Sequence, residues 1–210
     1  MPVTSRRRRL PVLATAATTA VLLTASADAA SRPPDVWQAS TVANRVGADL
    51  AGHFDADRMW VTDCARTAPA TRTCDVEVLK FSEEDNNSDC TWRVAVTRTR
   101  RGLRHRTGKA RCQEDGSFDK PTLRRALRRS KARAYRLASR VAVARARGVR
   151  ADATYVGGCD THHSSDRVCQ IAVYHGGAGG GAVCQSLVIV PPLRSRRPVR
   201  AMALGPCTAQ

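Results

Sequence analysis

CARTAPATRTCDVEV occupies residues 64–78, and CDTHHSSDRVCQIAV occupies residues 159–173. The two stretches start 95 positions apart and carry cysteines and alternating apolar residues at the same intervals. Either could be a reactive loop, but a pattern that occurs twice calls first for a test of internal repetition. The cysteine spacing is C-x9-C-x15-C-x21-C and then C-x9-C-x14-C-x22-C. With a shift of 95, ANRV (43–46) falls on ASRV (138–141), Asp57 on Asp152, Trp60 on Tyr155, Val61 on Val156 and Arg72 on Arg167. No gap is needed up to Cys74 and Cys169. One residue is lost before Cys184 and regained before Cys207. Val76/Ile171, Val78/Val173, Val94/Val188 and Val96/Val190 also correspond, so cysteines and apolar positions stay in phase. The chain is expected to be a duplicated module.

Each copy opens with a helical pattern. Val42, Val46, Leu50 and Phe54 form one apolar stripe, and Gly52 with the DAD run should end that helix. In the second copy Pro121 suits a first helical turn. Leu123, Leu127, Ala134, Leu137, Ala138 and Val141 form the stripe there, and Gly148 is the expected stop. The opposite face is rich in arginine. Four short alternating strands follow each helix, with Cys, Val and Trp on the buried face, Trp60 and Cys64 included. The expected fold class is α+β: two tandem repeats, each a helix packed on a four-stranded antiparallel sheet and stapled by disulfides.

Pairing of adjacent strands places cysteines opposite one another on one face, close enough to bridge. The expected disulfides are Cys64–Cys74, Cys90–Cys112, Cys159–Cys169 and Cys184–Cys207. Aromatic residues make up only 4% of the chain, so each core is thin and the staples matter. A bridge closing a loop of this size contributes roughly 2–4 kcal/mol.

The N-terminal residues read as an export signal. Arg6–Arg9 precede the apolar LPVLATAATTAVLL, and ASADA supplies small residues for cleavage after Ala29. The apolar run is shorter than the roughly 20 residues of a membrane span. The expected organisation is a signal peptide at 1–29, a first module at 30–116 and a second at 117–210. An even number of cysteines, all after the cleavage point, agrees with secretion into an oxidising compartment. No CxxC pair provides zinc-ribbon spacing. The net charge is +17; removing four arginines and Asp28 with the signal leaves about +14. Only four of the 35 basic residues are lysine, a bias that a GC-rich coding sequence produces without any ligand.

Helix-led modules with the C-x9-C-x-V-x-V and later C-xxx-V-x-V pattern resemble uncharacterised secreted tandem-module proteins of GC-rich Gram-positive bacteria. The residues carrying this are Cys64, Cys74, Val76, Val78, Cys90, Val94, Val96 and Cys112, with counterparts 95 or 94 positions on. The resemblance implies secretion and a stapled α+β fold, and no known activity. In outline the duplicated helix-plus-four-strand plan is similar to secreted β-lactamase inhibitory proteins. Those carry fewer cysteines and a turn motif that this chain lacks, so only the fold carries over.

Basic loops are the main candidate sites. RTRRGLRHR (98–106) supplies Arg98, Arg100, Arg101, Arg104 and Arg106; RSRRPVR (194–200) supplies Arg194, Arg196, Arg197 and Arg200. Both fall between the third and fourth strands of their copies. Clusters of this kind attract polyanions by counterion release. The loops hold no aromatics for base stacking, so nucleic acid is not the expected specific ligand; anionic polymers or the cell-envelope surface are. Long loops on stapled modules could instead hold a protein partner, as in an inhibitor of an extracellular protease or β-lactamase. A metal site would draw on His162, His163, His175 and Asp160, but adjacent histidines in extended chain point to opposite sides, and Thr67 and Ala68 stand there in the first copy. Ser164 and Ser165 beside His163 are only sequence neighbours. HGGAGGGAVC (175–184) lacks a phosphate-loop register, and the acidic 83–89 loop lacks DxDxDG order. No catalytic residue, cofactor or metal is expected.

Overall fold

A computed structural model describes residues 32–81, 88–113, 125–161, 165–175 and 182–205. The elements, in chain order, are α1 (Val36–Phe54), β1 (Arg58–Ala68), β2 (Thr71–Lys80), β3 (Ser88–Thr99), β4 (Gly102–Thr107), β5 (Arg111–Cys112), α2 (Arg125–Val149), β6 (Ala153–Thr161), β7 (Arg167–Tyr174), β8 (Ala182–Val190) and β9 (Arg200–Ala203). Among the described residues the fold is α+β: two helices lie on one face of a single nine-stranded antiparallel sheet. The strand order is β4-β3-β2-β1-β6-β7-β8-β9, with β5 beside β3.

Local chemistry sets the helix ends. Asp35 caps α1 through a reciprocal box: its carboxylate accepts from the Gln38 N–H at 2.8 Å, and Gln38 Oε1 accepts from the Asp35 N–H at 3.2 Å. The C-terminal cap is Asp55, in the left-handed conformation at φ 57°, and the Ala56 N–H reaches Ala51 O at 2.9 Å. α2 ends alike, with Arg150 at φ 57° and Ala151 N–H on Ala146 O at 2.9 Å. The DAD run therefore ends α1 as expected, with Gly52 inside the helix, and α2 runs one residue past the expected stop at Gly148 to a cap at Arg150.

Gly52 has a different job. A Cβ there would lie 2.3 Å from Ala132 Cβ and 2.6 Å from its Cα, so the glycine lets α1 and α2 touch backbone to backbone. The same crossing is tied by Lys131, whose ammonium sits 2.7 Å from Asp55 and is almost wholly buried.

The buried faces of the helices differ from the expected stripes. In α1 the deepest residues are Ala39, Ala43, Gly47, Ala48, Ala51 and Gly52, while Val42, Val46, Leu50 and Phe54 pack half-buried at the flank. Small side chains let the helix approach the sheet closely; a Cβ on Gly47 would fall 2.6 Å from Met59 Sδ. In α2 Ala134 and Ala138 face the core as expected, joined by Tyr135 and Ala142. Tyr135 crosses to the first half of the chain and donates its hydroxyl to Ala56 O at 3.1 Å. Pro121 and Leu123, and the side chain of Leu127, lie outside the described residues.

Trp60 lies on the face opposite to the one its spacing predicts. It does not share a face with Cys64, because the β1–β2 register slips between Thr62 and Ala65. The inserted residue reverses the alternation. Met59 and Val61 therefore meet the helices, and Trp60 points to the helix-free face, 4.6 Å from the Tyr155 ring and 4.9 Å from the Tyr174 ring. The same slip recurs between Gly157 and Asp160 on β6.

Three expected disulfides are present: Cys64–Cys74, Cys90–Cys112 and Cys159–Cys169. Cys184 is also disulfide-bonded; its expected partner Cys207 lies outside the described residues. Cys112 comes opposite Cys90 through the separate strand β5, not through a long fourth strand.

The centre of the sheet is the antiparallel β1–β6 pair, registered as Met59↔Val156, Trp60↔Tyr155 and Val61↔Thr154. Core residues from both sides of this seam form one cluster under both helices.

Candidate anion-binding surfaces

The two arginine loops sit far apart. β3 and β1 run in one direction and β8 and β6 in the other, so the β3–β4 turn and the β8–β9 loop leave opposite ends of the sheet. They also occupy opposite outer edges. At about 4.8 Å per strand step the edges are more than ~30 Å apart. The clusters therefore mark diagonal corners and cannot grip one small ligand together.

Within each cluster the arginines are not equivalent. Arg98 is half-buried on β3 and donates its guanidinium to Gln38 Oε1, tying the start of α1 to the sheet. Arg197 is held by Asp166 at 2.5 Å and donates from Nε to Ser195 Oγ at 3.3 Å. Arg100, Arg101, Arg104, Arg106, Arg194, Arg196 and Arg200 are exposed and form no ion pair among the described residues. Arg104 and Arg106 project from β4 on the helix-free side, because they pair with Thr97 and Ala95 and not with the buried valines.

Arg72 and Arg167, matched in the sequence, serve structure. Arg72 Nη1 donates to Cys64 O at 3.0 Å and Arg167 Nη1 to Cys159 O at 2.8 Å, each holding the strand at its register slip. Burial pulls the Arg167 pKa down, and Asp160 and Asp55 oppose that pull.

A third basic surface was only partly legible. α1 and α2 run antiparallel, touch at Gly52 and Ala132, and part toward the start of α1 and the end of α2. A groove of about 830 Å³ opens there. Its lining includes Trp37, Arg45, Ser139, Arg140 and Arg147. The sequence shows an arginine-rich face on α2, but not that α1 adds Arg45 and Trp37 across a cleft.

Acidic and aromatic groups concentrate on the helix-free face. Burial raises the Glu77 carboxyl, with Asp89 adding to the shift, and burial also raises Asp89. Burial likewise raises the phenols of Tyr155 and Tyr174, against Arg58. Arg58 itself lies over the Phe81 ring at 4.6 Å.

Among the described residues no three metal-ligating side chains converge, and His162, His163 and Ser164 lie outside them. The glycine run 176–181 and acidic residues 82–87 lie outside them too. No helix among the described residues is long and apolar enough to cross a membrane. No family model, no curated protein and no solved structure matches the chain.

Proposed function

We propose that this chain is a secreted, non-enzymatic binding protein, built from two tandem helix-plus-four-strand modules, that engages anionic polymers of the cell envelope through its exposed loop arginines. The observation that carries the reading is the set of seven exposed arginines without acidic partners among the described residues, placed at two corners of the sheet, one of them beside the Cys90–Cys112 bridge. Two distant corners suit a long polymer, which touches both at once and gains avidity where a small ion would not.

The tandem reading is supported by geometry that repeats at 95 positions. Cys64–Cys74 and Cys159–Cys169, Asp55 and Arg150, the two register slips, and the Arg72 and Arg167 hydrogen bonds all correspond. Trp60 and Tyr155 occupy equivalent positions and are paired directly, as two copies meeting around a twofold axis would be. Secretion rests on the N-terminal signal pattern and on disulfides that persist in oxidising compartments.

The test is retention of the mature chain, from Ala30 onward, on immobilised wall teichoic acid and on heparin resin across a salt series. Binding should fall steeply with salt. Replacing Arg100, Arg101, Arg104 and Arg106 by Ala should lower the elution salt, and replacing Arg194, Arg196 and Arg200 as well should lower it further. Binding that ignores salt, or survives both sets of changes, refutes the reading.

One observation favours a second reading, an inhibitor of an extracellular enzyme. The half-exposed Trp60 and Tyr174 beside Tyr155 form an aromatic patch on the helix-free face, the residue types that anchor protein interfaces. Inhibition of a secreted protease or β-lactamase, lost in Trp60→Ala, would establish it.

A further inference from the structure

We infer that the groove between α1 and α2 is a binding site for a compact organophosphate, an anion of two or more charges carrying a small apolar or aromatic group. None of the exposed loop arginines lines this groove, and the inference does not depend on their role.

The inference comes from comparing the two ends of the helix pair. At the closed end, Asp49 lies 3.6 Å from Arg136, Asp55 2.7 Å from Lys131, and Gly52 touches Ala132. Moving 95 positions along exchanges the ends. Ala144 then stands for Asp49, Arg147 for Gly52, Arg150 for Asp55, and Trp37 for Ala132. Each acid or small residue of the closed end becomes neutral, basic or bulky at the open end. The helices part there, and the cations lose their partners. Arg45 and Arg140, themselves 95 apart, line the groove with Arg147. All three are exposed and form no ion pair among the described residues.

The other lining groups define the ligand. Asp35, at the rim, is engaged in capping α1. Ser139, also in the lining, is 2% exposed, and its hydroxyl has no hydrogen-bond partner among the described residues. Its counterpart Asn44 is satisfied, bonding Ser40 O at 3.0 Å and Thr154 Oγ1 at 3.1 Å. The groove thus joins three guanidinium groups, suited to bidentate contact with phosphate oxygens, to a flat apolar surface from Trp37. Trp37 is anchored against the smaller core cluster of Ala146, Ala151, Val173 and Cys184. The volume is that of a small-ligand site. Closure at the Gly52–Ala132 contact favours a compact ligand over a threaded chain.

The test is calorimetric titration of the mature chain at low salt with inorganic pyrophosphate, inorganic phosphate and phenyl phosphate. We expect saturable one-to-one binding of pyrophosphate and tighter binding of phenyl phosphate than of phosphate. The double variant Arg140→Ala, Arg147→Ala should bind pyrophosphate at least tenfold more weakly with an unchanged Tm. The loop variant lacking Arg100, Arg101, Arg104 and Arg106 should stay within about twofold of the parent, since none of those four side chains lines the groove. Trp37→Ala should erase the preference for phenyl phosphate. Absence of saturable binding, parental affinity in the double variant, or loss of binding in the loop variant would overturn the site. A poly(glycerol phosphate) chain that needs Arg140 and Arg147 as much as pyrophosphate does would overturn the assignment to a compact ligand.

Discussion

The two ends of the helix pair, which a shift of 95 positions in the sequence exchanges, differ in chemistry. The end built by Asp49, Gly52, Asp55, Lys131 and Ala132 is closed by close contact and ion pairing. The end lined by Trp37, Arg45, Arg140 and Arg147 is open and basic. One helix–helix interface is thus closed by contact and ion pairing at one side and left open and basic at the other.

Overfilling the closed end has the largest expected effect. Gly52→Leu must push α1 from the Ala132 backbone and should cost about 3 kcal/mol, read as a lowered midpoint in urea. Its positional counterpart Arg147→Leu, at an exposed site, should stay within about 0.5 kcal/mol. Equal losses at the two ends would show that they are packed alike. Next in size is Lys131→Ala, which leaves Asp55 without the ammonium that neutralises it. It should cost about 2 kcal/mol, whereas Arg136→Ala, whose pair with Asp49 is exposed, should cost a few tenths.

The two helix caps give a smaller contrast of opposite sign. Arg150→Gly relieves a left-handed residue with a Cβ and should raise stability by about 1 kcal/mol. Asp55→Gly should lower it, because Asp tolerates that conformation and the change removes the Lys131 pair.

The smallest contrast extends to the sheet and depends on pH. Glu77 is raised by burial, while the position 95 residues on is the buried Ala172. A carboxyl raised in the fold is a cost that is complete above its folded pKa. That cost disappears below its unfolded value of about 4.3. Stability should therefore gain slightly as pH falls through that window. Glu77→Gln should raise Tm modestly at neutral pH and reduce the gain on acidification, with Asp89→Asn acting in the same direction. Parental pH dependence in both variants would remove these carboxyls from the account.

Much of this molecule was legible in its sequence because cysteine carries a positional constraint that composition does not. Cys64, Cys74, Cys159 and Cys169 stand at one spacing and beside alternating valines, which was enough to give strands, pairings and bridges. Alternation failed at Trp60 because a register slip leaves the sequence unmarked in the first half and shows only as Gly157–Gly158 in the second. The stripe of α1 packs against the core as the cluster's flank, and only its deepest positions escaped the pattern. Val42, Val46, Leu50 and Phe54 are larger and more apolar than Ala43, Gly47 and Ala51, yet close packing on a sheet rewards small size. The loop arginines were visible as runs, but their placement at diagonal corners follows from the antiparallel β1–β6 seam. The groove joins residues about a hundred positions apart, a separation no local pattern reports.

That seam has a consequence for how the protein behaves in crowded solution. By joining β1 to β6 it consumes the two strand edges best able to recruit another chain, and moves the remaining edges to β4 with β5 and to β9. These strands have two to six residues, are exposed throughout, and carry Arg104, Arg106, Arg111 and Arg200. Short, positively charged borders repel one another when two molecules approach edge to edge. The sheet can therefore be eight strands wide and still stop growing at its own margins.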